Sequence, residues 1–389
     1  MKKITFLKSA TMALVMLCSV NVFAHPVGVE RAEAIGKKFL LNSVDVYSNR
    51  PDISLELEYT QKDANGNPVL YVFNVDYKGF VIVSAEDRVS PILGYSFEGN
   101  FDAENISPNA EYILGDYQWT IDYVRSNKMD TGDEVRAQWE MVESTGRVTA
   151  DKGTNAVEPL LSTTWNQNAY YNDLCPEDPE GPNGRVYAGC VATAMAQVIN
   201  YWNYPAIGNG SHTFTPYGYP TQTANFGETF YDYTLMPDNL DENSSEEEVF
   251  QVAQLMWHCG IGVDMMYGND GSGAYSSDVP YALINYFLYS DDMSFLYRPY
   301  NDPNWNNQLR ANLDEGMPLY YSGSDVNGAG GHAFVCDGYD DNNMFHFNLG
   351  WSGNDNGYYP SNAINTEHGP YYFNSSQAAI FNVTPNENY

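Results

Sequence analysis

The sequence predicts an α+β chain: a small α/β unit, then a helix-rich half, then a half of short antiparallel strands. Three observations carry this. Val191, Met195, Val198, Ile199 and Trp202 recur at the spacing of one helix face, and Pro205 closes the pattern because proline cannot continue the helix ladder. From Met317 onward the pattern changes to short β-rich runs bounded by glycines. Between the two ends lies a polar stretch over 127–157, and the part over 144–155, with few apolar residues and two glycines, reads as an exposed, cleavable linker. The 389 residues suffice for two or three domains.

Taken in order, the chain opens with Lys2 and Lys3, an apolar run over 12–17 and the small-residue end Val22-Phe23-Ala24. That is the form of a secretory signal over 1–24, and it implies export beyond the cytoplasm. Cys18 lies inside it without the small residues expected before a lipid-modified cysteine. No later stretch reaches the ~18 consecutive apolar residues of a membrane span. Residues 25–126 read as an α/β unit: a helix over 31–41, then Leu55, Leu57 and Tyr59 alternating with Glu56 and Glu58 as in a half-buried strand. A turn at Asn65-Gly66-Asn67-Pro68 and β-rich runs over 69–75 and 79–85 follow. A helix over 110–126 places Leu114, Tyr117, Ile121 and Val124 on one face. No residue cluster here looks catalytic, so the unit reads as a module that covers something.

After a short helix near 134–142 and the linker, the boundary falls at 155/156. The second domain, 156–389, carries the Cys190 helix and helices over 246–259 and 279–288, with a Gly/Ser-rich loop over 268–277 between the last two. Its strands read MPLYYSG, HAFVCDGYD, NMFHFNLGW, NGYYP and AAIFNV. A helical half joined to a β half holds a cleft, the expected place of a ligand.

Composition narrows the function. Fifty acidic against 18 basic residues give a formal charge of -32, which argues against a nucleic-acid partner, since that needs clustered Lys and Arg. The chain lacks a Walker loop, a dinucleotide fingerprint, HExxH and CxxC, so neither cofactor nor metal is expected. Outside the signal four cysteines remain, too sparse for a disulfide framework in a chain this long, and mostly free, buried thiols are expected.

Cys190 stands out because it opens a helix directly after Gly189. The unpaired N–H groups and positive end of a helix favour a thiolate there, and the bare glycine admits a substrate backbone. The competing reading is a small thiol packed under a helix. A nucleophile needs a base within reach. Of six histidines, His25, His212 and His368 sit in poor contexts, His258 adjoins Cys259 on a helix where neighbours do not face each other, and His346 lies between two phenylalanines in a packed or surface role. His332, in GAGGHAFVCDG, begins a strand after two glycines and can project into a cleft. The next strand offers Asn348, whose amide oxygen can accept from the imidazole and fix its ring.

These stretches, AGCVATAMAQ, GGHAFVCDG and FHFNLGWSG, together with WNQNAYYN and GIGVDMMYG with SGAYSS, resemble the streptopain-like cysteine peptidases in sequence order. The run VDYKGFVIVSAEDRVSPILGYS resembles that family's propeptide. The resemblance implies a papain-like two-subdomain fold over 156–389, preceded by an inhibitory α/β prodomain and linker over 25–155. It also implies a zymogen that hydrolyses peptide bonds of protein or peptide substrates, held inactive by its own prodomain. Matched residue by residue, Cys190 is the nucleophile, His332 the general base and acid, Gln167 the oxyanion-binding side chain and Asn348 the orienting residue. Gly189, Ser272, Ser276, Ser277, Gly330, Gly331 and Trp351 are implied to form the substrate cleft, where an apolar side chain next to the scissile residue is favoured. Relatives commonly read Asn-Trp-Gly-Trp where this chain has Asn348-Leu349-Gly350-Trp351, and the smaller Leu349 can loosen the histidine. A catalytically weak, papain-like surface binding protein is therefore the alternative, and an acyl transferase using the same residues is a third.

Overall fold

The computed structural model describes residues 26–148, 156–299, 304–324, 331–361 and 377–386. It is α+β, as expected. The N-terminal unit comprises α1 (Val29–Ser43), α2 (Asp45–Ser48), an antiparallel meander β1 (Leu55–Lys62), β2 (Pro68–Val75), β3 (Phe80–Ser84) and β4 (Ile92–Ser96), then α3 (Pro108–Ser126) and α4 (Asp133–Thr145). β2 and β3 read as near-continuous apolar runs because helices cover both faces. Phe39 and Leu40 of α1 pack with Val81 and Val83, while Leu114, Tyr117 and Ile121 of α3 pack with Leu70 and Ile82 on the other face. β1 is the edge strand, and its alternation buries less than the sequence implies. A bulge between Leu57 and Tyr59 breaks the register, and Leu57 is left exposed.

α4 ends at Gly146, whose φ of 82° is the left-handed cap that glycine adopts without strain. Ser43 Oγ donates to the Gly146 carbonyl, and Val148 is buried. The start of the expected linker is therefore packed against α1, because the helix cap turns the chain back onto it. The remaining linker residues, 149–155, and the signal, 1–24, lie outside the described residues.

In the second unit α5 (Cys190–Trp202) is the central element. Every residue from Val191 to Ile199 is buried, so the helix is covered all round rather than on the single face the periodicity marks. Beside it lie the hairpin β5 (His212–Phe214) and β6 (Gln222–Ala224), and the helices α6 (Glu246–Gly262) and α7 (Val279–Phe287). α6 begins with a full capping box between Ser245 and Glu248. The β half contains β7 (Ser294–Tyr297), α8 (Trp305–Asp314), β8 (Leu319–Ser324), β9 (Gly331–Tyr339), β10 (Phe345–Asn348), β11 (Gly357–Tyr359) and β12 (Ala378–Phe381). β4, β7 and α8 are elements the sequence reading did not separate.

The two units share one antiparallel sheet, in the order β1-β2-β3-β4-β11-β10-β9-β8-β12-β7. The join is β4 on β11, where Tyr95 pairs with Tyr358 and their rings stack at 5.0 Å. Ser96 Oγ donates to the Asn356 carbonyl across the same seam, at 2.6 Å. The core is shared too, since Leu114 and Ile121 of α3 cluster with Phe334 and Phe347 of β9 and β10. Cys175, Cys190, Cys259 and Cys336 are all free, in line with the sequence expectation.

Candidate active site

The site forms where the start of α5 meets the start of β9. Gly189, just before the helix, has φ 95°, and a Cβ there would lie 2.8 Å from Met265 Sδ and 3.0 Å from the Ser272 carbonyl. Glycine is required on both counts, and its absence of side chain brings the Ser272 backbone beside Cys190. One residue earlier, the Ala188 N–H donates to the Gln167 carbonyl at 2.8 Å, which ties the Gln167 segment to the start of the Cys190 helix. Asn166 Oδ1 accepts from the Gln167 N–H at 2.7 Å, and Asn166 Nδ2 donates to Ser352 Oγ at 2.8 Å. Gln167 itself is buried.

His332 is the second residue of β9 and pairs with Gly323 of β8. The Cys190 thiol is within hydrogen-bond reach of the Ala333 N–H, one residue along. The start of the strand that carries His332 is thus brought beside the Cys190 thiol from far along the chain. Burial pushes the Cys190 thiol above its ordinary value, and the N–H groups of Ala333, Val191 and Cys190 itself pull it down. The thiolate expected at a helix N-terminus is therefore not the net outcome here, because desolvation outweighs the N–H groups.

Asn348 ends β10 opposite Val335 of β9. Its Nδ2 donates to the Thr163 carbonyl at 2.6 Å, and its Oδ1 accepts from the Gly350 N–H at 3.1 Å and from Gln197 Nε2 at 3.2 Å. Leu349 is buried, with its N–H donating to Asn356 Oδ1 at 2.8 Å. Among the residues expected to form the cleft, Ser276 Oγ hydrogen-bonds the Tyr320 hydroxyl at 2.8 Å, while Ser277 and Gly331 are exposed. Trp351 is half-buried, its ring 6.4 Å from that of Tyr187. Gly330 lies outside the described residues.

The start of α3 sits on this site. Ser107 caps the helix by accepting from the Ala110 N–H, and its own N–H donates to Asp355 Oδ2 at 3.0 Å. Asn109 Nδ2, fully buried, donates to the Leu349 carbonyl at 2.7 Å and to the Ala333 carbonyl at 3.2 Å. The Tyr112 ring lies 5.4 Å from the His332 imidazole. Asn109 and Tyr112 were missed from the sequence, where the first falls just ahead of the expected helix and the second lies off its apolar face.

His258 and His346 are accounted for by packing, and His25 and His368 lie outside the described residues. His258 is buried with its Nδ1 2.7 Å from the Tyr231 hydroxyl, and burial lowers its pKa to about 4. His346 is buried between Asp337, at 2.6 Å, and Glu98 of the N-terminal unit, at 2.8 Å. Burial disfavours the charged ring, but the two carboxylates outweigh it and carry its pKa up to about 10. Among the described residues no group of three or more His, Cys, Asp or Glu side chains could hold a metal, and no helix is long and apolar enough to cross a membrane.

Residues 165–359 match the peptidase C10 family, and residues 24–121 match the family described as Spi protease inhibitor. The chain is 32% identical to the thiol protease/hemagglutinin PrtT of Porphyromonas gingivalis over 97% of its own length, and spans 44% of that protein. It is also 32% identical to streptopain of Streptococcus pyogenes, covering 81% of each chain. The structure resembles that of a prointerpain A fragment of Prevotella intermedia with a TM-score of 0.70 and 33% identity, over 86% of this chain and 100% of that one. The unit whose α3 bonds the Ala333 and Leu349 carbonyls and sets Tyr112 beside the His332 ring is accordingly an inhibitor-like prodomain. A cysteine-opened central helix, a strand-borne histidine beside it and these matches lead to one assignment: the chain belongs to the peptidase C10 family of cysteine endopeptidases.

Proposed function

We propose that this chain is an exported zymogen, carried out of the cytoplasm by residues 1–24 and activated by cleavage between the packed end of the prodomain and residue 156. The Cys190 thiol gives its proton to His332, and the resulting thiolate adds to the carbonyl carbon of a scissile peptide bond. The oxyanion is received by the Cys190 backbone N–H and the Gln167 side chain, where one such donor is worth ~3 kcal/mol. His332 then protonates the departing amine as the C–N bond breaks, leaving a thioester on Cys190. Water, deprotonated by His332, breaks the thioester and restores the thiol. Asn348 fixes the end of β10 beside the strand that carries His332, its amide bonded to the Thr163 carbonyl, the Gly350 N–H and Gln197.

The observation that carries this reading is the contact of the Cys190 thiol with the Ala333 N–H, one residue from His332. Latency is supported by Asn109 and Tyr112, which occupy the space beside His332 that a substrate needs. The substrates are proteins or peptides entering between the loop of Ser272, Ser276 and Ser277 and the start of β9. The test is processing of the purified precursor under reducing conditions. Cys190→Ala remains at precursor size while the parent chain shortens by the prodomain, and iodoacetamide labels Cys190 only after processing. Shortening of the alanine variant would remove Cys190 from its role. A processed chain that binds casein without cutting it would favour the binding-protein reading, and transfer to an added amine would favour the acyl transferase.

A further inference from the structure

Gln197 is the one amide side chain on the wholly buried stretch of helix from Val191 to Ile199, and it is 0% exposed. It lies two turns beyond Cys190 on nearly the same helix face, about 10 Å along the axis. Its Oε1 accepts from Thr163 Oγ1 at 2.9 Å and from the Trp165 N–H at 3.2 Å, and its Nε2 donates to Asn348 Oδ1 at 3.2 Å. Asn348 closes the ring by donating to the Thr163 carbonyl at 2.6 Å. Backbone groups dictate the sense of both amides. The Thr163 carbonyl can only accept and the Gly350 N–H can only donate, so Asn348 must present Nδ2 to the first and Oδ1 to the second. Trp165 N–H can only donate, so Gln197 must present Oε1 to it and Nε2 to Asn348.

One buried amide therefore joins three segments: the nucleophile helix, the strand end that carries Asn348, and the stretch leading two residues later to Gln167. We propose that Gln197 is a positioning residue of the peptidase, holding Asn348 and the end of β10 in place beside the strand that carries His332 and holding the Gln167 segment at its level beside Cys190. The inference rests on the roles of Asn348 and Gln167 proposed above. It specifies why glutamine is needed. Methionine has similar shape but makes none of the three bonds, and an ionised glutamate keeps the two acceptor bonds but turns a negative oxygen towards Asn348 Oδ1.

The test compares the parent enzyme with Gln197→Met, Gln197→Glu, Asn348→Ala and the Gln197→Met/Asn348→Ala double variant. Each full-length precursor is processed in trans by a trace of tagged parent enzyme, which is then removed. Steady-state hydrolysis of a fluorogenic peptide is followed from pH 4.5 to 8.5, with near-ultraviolet circular dichroism to confirm the fold. Gln197→Met is expected to lower kcat by about 10- to 100-fold with KM within about twofold, the mark of an interaction made for the transition state. Gln197→Glu is expected to recover relative to the parent as pH falls, because a protonated carboxyl can again donate to Asn348. The double variant is expected to fall less than the product of the single losses, since the two amides act as a unit. Unchanged kcat in folded Gln197→Met with a loss in Asn348→Ala would overturn the inference alone. Unchanged kcat in Asn348→Ala would overturn the assignment of Asn348 on which it rests. If Gln197→Met does not fold, a Gln197→Glu to parent activity ratio that is flat with pH would overturn it as well.

Discussion

The contact most open to a quantitative test is Asn109 of the prodomain. Asn109→Ala removes two hydrogen bonds, to the carbonyls of Ala333 and Leu349, and leaves the surrounding apolar packing in place. All three residues are buried, so no solvent takes over the role while the prodomain is seated. At a net value of about 1 kcal/mol per bond, the closed state loses about 2 kcal/mol relative to the open one. With 1.4 kcal/mol per tenfold, that is a ~30-fold rise in the fraction of precursor molecules with the site uncovered. The join of β4 to β11 and the shared core remain, so the variant still folds closed for most of the time. The assay is the first-order rate of the initial cut in the full-length precursor, together with hydrolysis of a small peptide before any cut is visible on a gel. Both are expected to rise ~30-fold, whereas Glu111→Ala, on the exposed side of the same helix turn, leaves them unchanged. Rates within twofold of the parent, with the prodomain folded, would show that the two bonds do not hold the site shut.

Glu98, His346 and Asp337 form a charged contact across the seam, and its pH dependence has a definite sign. Burial raises the Glu98 pKa, but contact with His346 outweighs it and leaves it below the usual carboxylate value, so its contribution is present at neutral pH and lost as pH falls through that lowered value. The His346 pKa is carried up to about 10, so its contribution is full below the usual histidine range and lost only as pH rises through about 10. Glu98→Gln is therefore expected to process faster than the parent at pH 7, with the ratio falling towards one as pH drops through the lowered Glu98 value; a ratio that stays constant on acidification would sink the account. Gly189→Ala forces a Cβ onto Met265 and the Ser272 carbonyl at a φ of 95°, and is expected to cost more than ~1 kcal/mol in urea unfolding and most of the peptidase rate. Full activity there would contradict the close approach drawn for the cleft. Leu349→Trp, the residue common in relatives, is expected to overpack a position only 1% exposed and to destabilise the precursor by about 1–3 kcal/mol. An unmoved urea midpoint would mean that the prodomain leaves room for the ring.

Much of this protein is written locally in its sequence. The apolar period and the glycine before Cys190 define α5 and its first residue, because helix period and left-handed backbone are properties of a few neighbouring residues. The strands carrying His332 and Asn348 follow from β-rich runs between glycines, and their order along the chain makes them hairpin partners. What tertiary structure alone decided is which distant groups meet. No periodicity marks β4 as the partner of β11, since strand edges offer the same backbone groups to any neighbour and only packing selects among them. Asn109 in a first helical turn reads as ordinary local backbone chemistry, and only the docking of α3 turns it towards Ala333 and Leu349. His346 and Gln197 announce themselves as polar residues in apolar runs, which tells that a partner must exist; Asp337, Glu98, Thr163 and Asn348 are supplied by folding, because hydrogen-bond complementarity acts at three ångströms whatever the distance along the chain.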